Sequence, residues 1–189
     1  MEIENALFGL IQNIIQMKNR KLILILSLLS SSFYSQTNAE VEIFNEIIAH
    51  EISEGGFYIQ CNKSKTYFNS TDIHLEVPKN ILQDLMEASN KSKDGVWDSE
   101  MIENLNYSTD FIKSKSCLTK EDTEALFKRT GKRQTVISIS DPIFDSNFEY
   151  CVVSVTYWKF TGSAYGHTYF LKKVYGLWTI ILTYNPWMT

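Results

Sequence analysis

The chain has 189 residues, 44% hydrophobic, 13% aromatic and 21% charged, with only 3 Pro and 8 Gly, a make-up that excludes a disordered tail, a collagen-like repeat or a proline-rich linker. This length leaves room for one domain with one sizeable core. The formal charge of -4 supplies no basic footprint for phosphate contact, so nucleic acid is not an expected partner.

The chain opens with an export-like leader. Met17-Lys18-Asn19-Arg20-Lys21 is a basic n-region, Leu22 to Leu29 an apolar h-region, and Ser30 to Gln36 a polar approach to cleavage. The apolar run falls short of the ~20 residues a membrane-spanning helix needs, so the segment reads as removed, after Ser35 or after Ala39. Met17 reads as the initiator, because residues 1–16 precede the n-region. A single helix over residues 3–29, broken by a charged turn, is the competing reading. No Cys follows the h-region, which excludes a lipoprotein anchor. The expectation is a signal peptide over residues 1–35, a single domain over residues 36–189, and a secreted or periplasmic location.

In the mature part, Val41, Phe44, Ile47, Ile48 and Ile52 recur at spacings of three and four and predict a helix over residues 40–53, ended by Gly55-Gly56. Phe57 to Cys61 and Lys65 to Phe68 have strand character, and Ile73 to Val77 alternates as a half-buried strand does. Pro78 opens a helix with Ile81, Leu82, Leu85 and Met86 as its buried stripe. Asp98 is placed to cap a short helix through Leu105, and Thr119 to Asp122 resembles a capping arrangement for another that ends before Gly131.

The last third is rich in Val, Ile, Thr, Tyr, Phe and Trp. Residues 135–140, 149–158, 164–174 and 177–184 predict four strands joined by short connections, an antiparallel meander. Helices from the first two thirds must cover a face of that sheet, so the expected class is α+β.

Cys61, Cys117 and Cys151 form no CxxC pair and have no His at ligand spacing, so neither a metal nor a cofactor is expected. Cys151 sits in an apolar run and behaves as a buried hydrophobe. A Cys61–Cys117 bridge and three reduced thiols both remain open readings.

Ile137 to Phe144, the strand Val152 to Tyr157, the Gly162/Gly166 turn and the closing Gly176-Leu177-Trp178 strand together resemble a loose family of small exported Bacteroidetes proteins. The resemblance spans about 45 residues and implies export but no activity, since the family is functionally uncharacterised; its members often carry cysteine in the glycine-bounded turn, which this chain lacks. The closing strand is also similar to that of cystatin-like and nuclear-transport-factor-2-like folds.

His167 shares a predicted strand with Tyr165 and Tyr169 on one side of the alternation. It reads as an aromatic-flanked residue on an exposed sheet face. With Trp158, these residues form the expected binding face of a non-catalytic module for a protein, a glycan or a small-molecule ligand. The alternative is a hydrolase-type enzyme using His167 with Ser163 or Asp141, although Gly162 to Gly166 departs from a nucleophile elbow. Asp141 with Asp145 is the other carboxylate pair of note; Asp141-Pro142 doubles as a turn signal.

Overall fold

A computed structural model describes residues 39–51, 56–103, 105, 113–114, 116–160 and 162–189. The expected signal peptide, residues 1–35 with Met17, lies outside the described residues, as do Ile52 and Gly55 at the end of the first predicted helix. Residues 39–50 are helical (α1), and the spacing of three and four puts Phe44, Ile47 and Ile48 in the interior, joined by Ile43.

The second helix, α2 (Lys79–Lys91), starts directly after Pro78 and buries Ile81 and Leu85. Met86, expected on the same stripe, is exposed: the contact line runs through Ile81 and Leu85, four residues apart, and Met86 lies a further 100° or so around the helix. In α3 (Ser99–Glu103) the Asp98 carboxylate accepts from the backbone N–H of Glu100 at 2.9 Å, as a capping residue should. In α4 (Lys120–Thr130) Thr119 and Asp122 form a full capping box, and Gly131 closes the helix at φ 65°, the left-handed region that glycine enters without a Cβ penalty.

The predicted meander is present. In chain order the strands are β1 (Tyr58–Ile59), β2 (Asn62–Lys63), β3 (Gly95–Val96), β4 (Thr135–Ile139), β5 (Ile143–Phe144), β6 (Tyr150–Lys159), β7 (Ala164–Val174) and β8 (Leu177–Met188). The main sheet runs β1-β4-β6-β7-β8, with β5 also pairing β6; β4 to β8 pair antiparallel along it, while β1 lies parallel to β4. β2 and β3 form a separate two-stranded ribbon. With helices before and beside an antiparallel series, the class is α+β.

Two predicted strands are not strands. Residues 65–68 send their backbone bonds to side chains instead of a ladder: Thr66 N–H donates to Ser92 Oγ at 3.0 Å and Phe68 N–H to Ser89 Oγ at 3.0 Å. α2 and its C-cap residue thus supply the partners that a neighbouring strand would have supplied. Residues 73–77 follow a 3₁₀ turn at Ser70–Asp72; Ile73 and Val77 lean on the core while Leu75 faces solvent, so the apparent alternation does not carry one buried face.

Both faces of the central strands are buried, which corrects the expected open face. On one side Tyr150, Val152, Phe170 and Tyr184 pack with Ile143 against Ile81 and Leu85 of α2. Removing each such side chain from water contributes about 1.5–3 kcal/mol. On the other side, by alternation and register, lie Ile137, Ile139, Val153, Val155, Tyr157, Tyr169 and Leu171, all buried. Gly166 is required by close approach: a Cβ there would stand 2.6 Å from the Val155 carbonyl oxygen and 2.9 Å from the ring of Trp187 across the ladder. Cys61 and Cys117 are joined by a disulfide, and Cys151 is buried outside it.

Candidate functional site

The last turn of α1 delivers Glu51 to the second of these sheet faces. Its backbone N–H still donates to Ile47 at 2.9 Å, so the side chain projects from the end of a well-formed helix. The negative end of a helix dipole is a poor place for a carboxylate unless donors meet it. Here they do. Tyr157 Oη donates to Glu51 Oε2, Tyr169 Oη donates to Glu51 Oε1, and His167 Nε2 lies 2.8 Å from that same Oε1. The Glu51 and His167 side chains are 11% and 17% exposed.

Strand geometry explains the convergence. Val153 pairs with Tyr169, Val155 with His167 and Tyr157 with Tyr165, so Tyr157, Tyr165, His167 and Tyr169 share one face of β6 and β7. The rings brace each other: His167 meets Tyr169 edge-on at 4.6 Å, His50 meets Tyr169 at 5.5 Å, and Tyr157 stacks flat on Tyr165 at 4.7 Å and 11°.

Burial, then the hydrogen bond to Glu51, then its charge hold the Tyr169 phenol far above the ordinary tyrosine range; Tyr165 is raised by burial and by Glu51. Burial is also the main reason the Tyr184 phenol is raised. A folded value above the unfolded one means that these phenols stabilise the fold fully below about pH 10 and lose that contribution as pH climbs through the folded values. Absorbance titration at 295 nm should therefore show Tyr169 and Tyr184 absent from the native transition near pH 10 and appearing only with alkaline unfolding. Full titration of every tyrosine in the native protein would contradict this.

The structure separates the other sequence-derived candidates. Trp158 lies on the opposite face from His167 and donates its Nε1–H to Gln60 Oε1 at 3.1 Å. Ser163 precedes β7 while His167 lies inside it, a separation of roughly 13 Å along extended chain. Asp141 is paired with Lys63 at 2.7 Å. Asp145 is buried and spends its carboxylate on the backbone N–H groups of Asn147, Glu149 and Tyr150. Neither aspartate is the partner of His167; the acid beside it is Glu51.

Glu51 had a sequence signal of its own. It stands four residues after Ile47 and three after Ile48, a charged residue in line with a buried stripe. Among the described residues no group of His, Cys, Asp and Glu is placed to hold a metal ion, and no helix is long and apolar enough to cross a membrane. Compared with known proteins, the chain matches no family model, no curated protein and no solved structure.

Proposed function

We propose that the protein is an exported, non-catalytic binding module, and that it takes a saccharide ring at the end of the sheet around Tyr165. One observation carries this reading: Tyr165 is 44% exposed, yet its ring is already held flat against buried Tyr157. A pre-ordered aromatic surface loses little freedom when a ligand stacks on it. Met188, exposed, lies directly across the ladder from Tyr165. A small cavity of about 60 Å³ beside them is lined by Tyr157, Trp158, Thr135, Lys159 and Ser163. Apolar rings next to hydroxyl and ammonium donors suit a sugar, which has one apolar face and many hydroxyls. In this reading Tyr169 and His167 act from beneath, through Glu51, and Trp158 contributes to the cavity wall. The leader and the likeness to exported Bacteroidetes proteins support the location.

A glycan array probed with the labelled protein tests the reading. The wild type should be retained on at least one glycan, and Tyr165→Ala should lose at least about tenfold in retention, the scale of one aromatic anchor, with an unchanged melting temperature. Retention of no glycan, or equal retention by the variant, would overturn it.

The Glu51–His167 contact favours a second reading, a hydrolase-type enzyme in which His167 activates water and Glu51, not Asp141, orients the ring. Turnover of p-nitrophenyl acetate that His167→Asn abolishes would support it.

A further inference from the structure

The far end of the same sheet carries a different feature. β7 and β8 are joined by Tyr175-Gly176 with φ values of 51° and 84°, both left-handed, as a type I′ hairpin turn requires. Asn-Gly is the pair that this turn favours, because a bulky side chain is disfavoured at φ > 0. The chain instead places a fully exposed tyrosine there, flanked by Val174 and by Leu177, 69% exposed. Phe148, the other left-handed aromatic at φ 56°, lies in the adjoining loop, which is tied to β7 by Lys173 N–H donating to the Glu149 carbonyl at 2.8 Å. The result is an exposed apolar hairpin tip.

Two lysines stand just behind it. Lys172 and Lys173 are successive residues of β7, so they emerge on opposite faces and girdle the tip. Each ammonium lies over a ring, Lys172 Nζ over Tyr150 at 5.2 Å and Lys173 Nζ over Trp178 at 5.6 Å. Of the nearby acids, Asp145 accepts from backbone N–H groups and Asp84 from Ser146, and Glu149 is exposed beside Lys173. From Lys172 to Tyr175 is roughly 10 Å of extended chain, which matches the ~5–10 Å that apolar groups penetrate at a bilayer interface while cations stay at headgroup level.

We infer that the β7–β8 hairpin tip docks peripherally on an anionic lipid surface, with Val174, Tyr175 and Leu177 entering the interface and Lys172 and Lys173 meeting the headgroups. The site is at the other end of the strands from Tyr165 and does not depend on the saccharide reading.

Two measurements on the full chain test it. In co-sedimentation with vesicles of equal phosphatidylcholine and phosphatidylglycerol, Tyr175→Asn with Leu177→Ser should lower the bound fraction about tenfold, while the melting temperature stays equal or rises because Asn suits the turn. Lys172→Glu with Lys173→Glu should lower it at least as far, because each lysine contributes attraction to an anionic surface. A nitrobenzoxadiazole probe on L177C reports the tip itself, independently of the apolar leader, and should shift its emission to the blue on adding these vesicles. A probe that stays in a water-like environment, or tip variants that sediment like the wild type, would overturn the inference. So would a tip-dependent dimer in sedimentation velocity without lipid, which would assign the patch to a second copy of the chain.

Discussion

Replacing Glu51 with alanine should destabilise the protein by about 3–5 kcal/mol, the range measured when one partner of a buried charged network is removed, and lower the melting temperature by roughly 10 °C. The loss exceeds that of an ordinary hydrogen bond because Tyr157, Tyr169 and His167 all direct donors at this one side chain. Glu51→Gln should cost less, since an amide oxygen still accepts from one phenol. A double-mutant cycle between Glu51→Gln and Tyr169→Phe should show coupling of about 0.5–3 kcal/mol, as expected of residues in direct contact. Thermal and urea melts check both. A Glu51→Ala loss below about 1 kcal/mol would mean that the cluster is no more than a surface ion pair, and its role as the clamp between α1 and the sheet would fall.

Removing the disulfide should cost nearly as much. The Cys61–Cys117 bridge joins residues 56 apart, and closing a loop of that length in the unfolded chain is worth about 4 kcal/mol in the chain-entropy model, with about 2–4 typical of measured cases. The bridge reinforces a short pairing: Cys61 N–H donates to Leu118 at 2.9 Å and Leu118 N–H to Ile59 at 2.7 Å, an isolated parallel bridge at the edge of β1. Cys61→Ser with Cys117→Ser should therefore shift the urea midpoint strongly downward. Ellman's reagent should find no reactive thiol in the native oxidised protein and one, Cys151, after denaturation. Two or three thiols under non-reducing denaturation would rule the bridge out.

The parts of this fold that were legible in the sequence are those whose cause is local. The capping box of Thr119 and Asp122 is complete within four residues, and Gly131 ends the same helix for reasons internal to its own backbone. Strand β7 begins and ends where its composition changes, at Ala164 and Val174, because Gly and Ser before it and Tyr-Gly after it set the turns. The errors have a non-local cause: residues 65–68 have strand character, but whether such a stretch becomes a strand depends on what stands beside it. Here Ser89 of α2 and Ser92, the residue that caps it, stood there instead of a neighbouring strand.

The candidate site divides along the same line. Sequence alternation alone put Tyr165, His167 and Tyr169 on one side of a strand, since a period of two is a property of every extended chain. What that side faces was decided only by tertiary structure. Glu51 is 116 residues from His167, 118 from Tyr169 and 106 from Tyr157, and no pattern read along the chain spans such separations. Composition and periodicity determined the class, the meander and the two ends of α4. Packing of α1 over the sheet turned an expected open aromatic face into a buried carboxylate clamp, because a carboxylate buried there needs donors, and Tyr157, Tyr169 and His167 supply them.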